Sequence, residues 1–215
     1  RLLRVGLPIG GTIFVEGSLF IAAALLIARL GPLPASAHLI AINWSALMFM
    51  VPLGLASAVT TRVGNALGRG EPEAARYAGL IGFVIVLATQ TLSAGAMFLV
   101  PEFIVRIYTD DAAITAIAVS LLFFSAIFQY SDGIQICAAG ALRGLKDTLV
   151  PMFINILSYL FIGLSLGYYL TFNKAMGPAG MWIGMIAGLS FGAVLLSARF
   201  LFKSGQLVKS GKTDL

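Results

Sequence analysis

The chain has 215 residues, of which 59% are hydrophobic and only 11% charged, with a formal net charge of +5. Average globular chains carry about 25% charged residues, so a water-soluble fold would lack the polar surface to cover this much apolar material. Lipid-facing helices need apolar side chains. The basic excess lies in short segments between apolar runs, which marks membrane topology and excludes nucleic acid as the expected partner.

Six stretches reach the roughly 20 apolar residues that a spanning helix needs. In chain order they are predicted at about 5–28, 37–60, 77–100, 112–142, 148–171 and 179–202. Turn chemistry separates several of them: Gly31-Pro32-Leu33-Pro34, Gly68-Arg69-Gly70-Glu71-Pro72 and Gly177-Pro178-Ala179-Gly180. Residues 1–202 read as one six-helix transmembrane bundle and 203–215 as a cytoplasmic tail. The chain begins at Arg1 without a signal-peptide pattern, which raises the expectation that it is part of a longer polypeptide.

Orientation follows from the basic residues. Arg1, Arg4, Arg62, Arg69, Arg76, Arg143, Lys146, Arg199, Lys203, Lys209 and Lys212 fall on one side, and only Arg29, Arg106 and Lys174 on the other. Basic loops stay inside, so both termini are expected in the cytoplasm and the protein in the cytoplasmic (inner) membrane.

Helix association in lipid depends on close packing through small residues. Gly180, Gly184, Gly188 and Gly192 recur every four residues in the sixth span, and Gly163 and Gly167 stand in the fifth, which predicts a tight contact between these two helices. Pro52 removes one backbone bond inside the second span and predicts a bend there. Cys137 reads as a small core residue that excludes an internal disulfide. His38, the single histidine, sits near the outer end of the second span, and without clustered ligands a zinc site is not expected.

Seven of the nine acidic residues fall in loops or tails; Glu16 and Asp132 do not. Glu16 lies twelve residues from Arg4, about 18 Å along a helix, and Asp132 eleven from Arg143, about 16 Å. Both therefore sit near the middle of a hydrocarbon core about 30 Å thick. An acid there costs at least about 2.5–3.5 kcal/mol, and no lysine or arginine is expected at that depth. The residues point to a cation or proton site in a cavity; the alternative is two protonated acids holding helices together. Thr12, Asn43, Gln129, Tyr130, Gln135, Asn155 and Phe128 are the further candidates for a substrate or ion cavity, beside Ser125, Ser131 and Gln90. Phe14, Phe20, Phe49, Met48, Met50 and Phe124 could add ring faces and thioethers that suit flat organic cations.

Three stretches carry a family resemblance. They are Gly6-Leu7-Pro8-Ile9-Gly10 with Glu16 downstream, Arg62-Val63-Gly64-Asn65-Ala66-Leu67-Gly68 continuing through Gly70, Pro72, Ala75 and Arg76, and Ser131-Asp132-Gly133-Ile134-Gln135 followed by Gly140-Ala141-Leu142-Arg143-Gly144-Leu145-Lys146-Asp147. With these the chain resembles the C-terminal half of the multidrug and toxic compound extrusion (MATE) transporters of the bacterial NorM-like branch. The resemblance implies an all-α membrane fold in which this chain is one lobe of a six-plus-six transporter. It also implies a partner: a missing N-terminal six-helix bundle or a second chain. Glu16 and Asp132 match the family's buried acids in the seventh and tenth helices, associated with coupling to Na+ or H+; Na+ at these two residues is the one metal ion implied. Phe128 stands where some members have a tyrosine one turn before the second acid.

The expected function is secondary active multidrug efflux, an antiporter exporting organic cations or drugs in exchange for Na+ or H+, with no enzymatic activity and no cofactor beyond the coupling ion. The alternatives are a lipid-linked saccharide flippase of the related superfamily, an intramembrane aspartyl protease, and a channel or structural membrane subunit. The flippase should show cationic side chains inside its spans. The protease lacks its Gly-x-Gly-Asp motif, since Asp132 follows Tyr130-Ser131. No repeated filter motif supports a channel.

Overall fold

The structure is a computed structural model that describes residues 2–210, with side chains from Gly6 onward. Arg1, Lys212, Asp214, the side chain of Arg4 and the end of the expected tail lie outside the described residues. The chain winds into α1 (Leu2–Ala28), α2 (Pro32–Gly68), α3 (Pro72–Leu99), a short α4 (Pro101–Arg106) and α5 (Ala112–Gly144). A helix of mixed winding follows, and α8 (Pro178–Ser210) completes the bundle. Among the described residues, six helical segments are long and apolar enough to cross a membrane. The protein is a multi-pass membrane protein.

Prolines open α2, α3 and α4, where the missing N–H would have no helical partner anyway. Asp111 caps α5 by accepting from the backbone N–H groups of Ala113 and Ile114, at 2.8 and 3.1 Å. Two helices run eight residues past their expected ends. α2 continues to Gly68 and α8 to Ser210, so residues 203–210 are a helical extension of the last span. Hydropathy marks where apolar character ends, not where the backbone stops winding. Pro52 lies buried inside a continuous α2.

The fifth span, Leu149–Asn173, alternates its winding. α6 (Leu149–Ile156) leads into a π-helical stretch (Leu157–Leu164), one α-turn, α7 (Ser165–Tyr168), and a second π stretch (Tyr169–Asn173). Wide turns of this kind are rare and recur at functional sites. This one runs against the glycine ridge of α8. A Cβ on Gly188 would meet the Ser158 carbonyl oxygen at 2.5 Å and the Gly163 Cα at 2.7 Å, and one on Gly184 would overlap the Gly167 backbone. The predicted contact is therefore backbone against backbone.

Helix α5 is the central element, packed on α2, α3 and α8. Buried apolar residues form two clusters stacked along the bundle. One gathers Leu19, Met97, Leu122, Phe128, Trp182 and Met185. The other gathers Val63, Val86, Leu142, Leu145, Leu196 and Phe200. Between them on α3 and α5 lies a layer of buried polar residues: Gln90, Gln129, Asp132 and Gln135. The mid-bundle layer that the acids were expected to occupy is thus a physical gap in the apolar core.

Asp147 departs from its expected place in a solvated loop. It is buried, and its Oδ2 accepts from Arg199 Nε at 2.6 Å and lies 3.1 Å from Lys203 Nζ. Lys146 adopts a positive φ of 58° at the sharp turn that brings Asp147 against α8. Asp147→Ala is expected to lower the melting temperature in detergent by several degrees. The cationic side chains remain 29% and 28% exposed, so water offsets part of the loss. The cost should be about 1–2 kcal/mol, below that of a fully buried pair.

Candidate functional site

Helices α1, α5 and the fifth span bring the two intramembrane acids together. Glu16 and Asp132 line one small cavity with Thr12, Gln135, Asn155 and Tyr159. Its volume is about 40 Å³, room for a cation or a few waters, since one water needs about 10–15 Å³ on that scale. Its donors are mostly oxygens. Thr12 Oγ1 donates back to the Pro8 carbonyl at 3.0 Å, so its lone pairs remain available. Gln135 Nε2 donates to Asn155 Oδ1 at 2.9 Å and to the Tyr159 hydroxyl at 2.7 Å. This fixes the amide so that Oε1 is its remaining acceptor, and Oε1 is buried without a hydrogen-bond partner. Two carboxylates, an amide oxygen and a hydroxyl form the hard donor set that suits sodium or a proton. Among the described residues no third acidic, histidine or cysteine side chain joins them.

The same two acids line a second cavity of about 230 Å³ on their other side. Its walls are Phe20, Ile42, Ser45, Ala46, Phe49 and Phe128. Phe128 packs edge-on against Phe20 and Trp182, with ring centroids 6.0 and 5.6 Å apart. The two acids thus border both an ion-sized chamber and an aromatic pocket. At 230 Å³ the pocket is smaller than the roughly 300–1,000 Å³ typical of drug-sized sites.

Of the candidates named from sequence, Glu16, Asp132, Thr12, Gln135 and Asn155 meet in the small cavity, and Phe128 lines the pocket. Three lie elsewhere. Gln129 turns to α3, where its Oε1 accepts from Ser93 at 2.9 Å and its carbonyl accepts from Gln90 at 2.8 Å. The Tyr130 hydroxyl donates to Thr91 Oγ1 at 3.2 Å. Asn43 is exposed and accepts from the Tyr108 hydroxyl at 3.0 Å. A polar face of α5 about 120° wide, at 3.6 residues per turn, serves two neighbours at once, so spacing alone does not separate cavity from interhelical contact. Ser125 likewise pairs with Ser45, hydroxyl to hydroxyl, and Ser131 with Ser190 at 2.7 Å.

The expectation that no basic side chain reaches the acids is corrected by Arg143, which lines the small cavity with them. Residue counting places its Cα near the membrane edge, but helical side chains lean toward the helix N-terminus. Here that direction leads back toward Asp132. Arg143 Nε is buried without a hydrogen-bond partner, while neighbouring Asp147 is engaged by Arg199 and Lys203. Tyr159 was also missed; its hydroxyl completes the Gln135 network. An apolar span offers no signal for one tyrosine among many rings. His38, at the far end of α2, is buried edge-on to Trp182 at 5.8 Å and lies outside both cavities.

Fold and site together define one six-helix bundle of a polytopic membrane protein, with two acids side by side in its interior. The model of the MatE family matches residues 8–169, and the chain belongs to that family. It is 53% identical over 207 residues to a protein described as a probable multidrug resistance protein NorM from Xanthomonas axonopodis pv. citri. The match covers 96% of this chain and 45% of that protein. The multidrug resistance protein PmpM of Pseudomonas aeruginosa is 44% identical over 212 residues, again with 97% and 44% of the two chains covered. The chain thus spans a little under half the length of these curated relatives. Among solved structures, a MATE protein in a bent conformation superposes with a TM-score of 0.90 at 18% identity, over 98% of this chain and 46% of that one. An outward-facing multidrug resistance MATE transporter gives 0.88 at 20% identity, over 97% and 47%. At these identities the likeness is one of fold.

Proposed function

We propose that this chain is the C-terminal lobe of a secondary multidrug antiporter that exports organic cations in exchange for Na+ or H+. The observation that carries the reading is the position of Glu16 and Asp132, which border both the ion-sized chamber and the aromatic pocket. A carboxylate neutralised by an ion on one side is a weaker partner for a cation on the other. Exclusive occupancy of this kind is what antiport requires. Differential binding of ion and cargo would then shift the bundle between inward-open and outward-open states. Both termini would face the cytoplasm, and a second six-helix bundle would close the cargo cavity. The NorM and PmpM relatives support drug efflux as the activity.

The test is export of a fluorescent organic cation from proteoliposomes holding the protein with its second bundle, under sodium and pH gradients imposed separately. Export driven by either gradient is expected, and the effective gradient names the ion. Export that ignores both gradients would overturn the reading.

One observation favours the flippase alternative: Arg143 supplies a cation in the cavity, as a pyrophosphate-binding protein would require. With both carboxylates ionised, however, one arginine against two acids leaves the cavity net negative. That balance suits a cation.

A further inference from the structure

We propose that the groove between α2 and α3, at the end of the bundle carrying most basic residues, binds an anionic phospholipid by its phosphate headgroup. The groove has a volume of about 520 Å³ and lies apart from both acid-lined cavities. On α2 its lining recurs every three or four residues as Leu55, Ala58, Arg62, Asn65 and Arg69, a single stripe along one face. The stripe changes chemistry along its length. Seven residues, about 10 Å of helix, separate aliphatic Leu55 from Arg62. On α3, Ile81 and Ile85 face the aliphatic half and Tyr77 stands near the basic half. Such a gradient, guanidinium groups above and methyl groups below, matches a phosphate headgroup continuing into an acyl chain. Basic pockets between transmembrane helices hold acidic headgroups in this way, and tyrosine favours the same interfacial depth.

The two arginines are placed differently. Arg62 makes none of the ion pairs found among the described residues. Arg69 is tied to Glu71, Nε at 3.1 Å and Nη2 at 2.8 Å from the same carboxylate oxygen. That hydrogen bond, and the charge behind it, hold the Glu71 carboxyl below its ordinary pKa, so it stays ionised and Arg69 stays oriented. Nη1 remains free to donate. Two arginines against one carboxylate leave a net charge of +1 at the groove mouth, and Asn65 adds an uncharged amide. A monovalent phosphodiester complements this arrangement. The site depends on the chain spanning a membrane and not on what it exports.

Native mass spectrometry of the intact detergent-solubilised protein tests the site, offering phosphatidylglycerol and phosphatidylcholine with identical acyl chains in equal amounts. Preferential retention of phosphatidylglycerol is expected. Arg62→Gln with Arg69→Gln should reduce that preference by about fivefold per arginine. Lys209→Gln, a basic change on the same side but outside the groove, should leave it intact. Should the double variant fail to fold, Ala58→Trp, which fills the aliphatic half, should release the lipid while keeping both charges. Equal retention of the two lipids by the unaltered protein would overturn the proposal. So would a preference that survives both groove variants, or one that Lys209→Gln erodes as strongly.

Discussion

Asp132→Asn is expected to abolish gradient-driven export while leaving the melting temperature in detergent unchanged or higher. Asparagine keeps the shape and one acceptor oxygen but removes a charge whose burial costs at least about 2.5–3.5 kcal/mol in the membrane centre. If the acid only held helices together as a protonated hydrogen-bond donor, the change would be felt as lost stability. If it holds the coupling ion, the change is felt as lost transport. Coupling of 1–3 kcal/mol between ion and cargo corresponds to about 5–150-fold, and removal of the only buried acid on α5 should fall at the upper end. Glu16→Gln should behave in the same way. The single changes are more informative than the double one, because Arg143 lines the same cavity and each single variant leaves it one carboxylate. Export rates in proteoliposomes, read beside melting curves, separate the outcomes. Full ion-driven export by a folded Asp132→Asn protein would remove Asp132 from the mechanism.

Gly184→Ala should be among the most destabilising single-methyl changes in the chain. The added carbon would overlap the Gly167 backbone and come within 2.6 Å of the Gly163 carbonyl oxygen. Backbone cannot rotate aside as a side-chain tip can, so the helices must separate along the ridge that Gly180, Gly188 and Gly192 also form. Overpacking typically costs about 1–3 kcal/mol, and a backbone clash belongs at the top of that range. Gly95→Ala is the matched control, because its Cβ would meet nothing within 4 Å. There the better helix propensity of alanine should be neutral or stabilising by up to about 1 kcal/mol. Thermal denaturation of both variants in one detergent decides the matter; equal melting temperatures would mean that α8 does not pack on the fifth span through this ridge.

The amino-acid sequence by itself determined the six spans, the glycine ridge and the two acids at matching depth. Each rests on a one-dimensional quantity: length of apolar run, a four-residue repeat, or a rise of about 1.5 Å per residue. It also carried the motifs that point to the family. What it left open are matters of azimuth and reach. Gln129 and Gln135 are six residues apart on one polar face, yet Gln129 bonds α3 and Gln135 bonds the fifth span. Only the positions of the neighbouring helices distinguish them. Arg143 counts as an edge residue by its Cα, but its long side chain leans back into the cavity of the acids. Asp147 reads as a loop residue until the fold lays α8 beside it and supplies Arg199 and Lys203. The π-helical winding of the fifth span has no one-dimensional signature, because apolar residues permit either winding and the choice falls to packing against α8. Depth in the membrane is a property of one helix and can be counted, whereas the partner of a buried polar group is a property of several helices and follows only from how they pack.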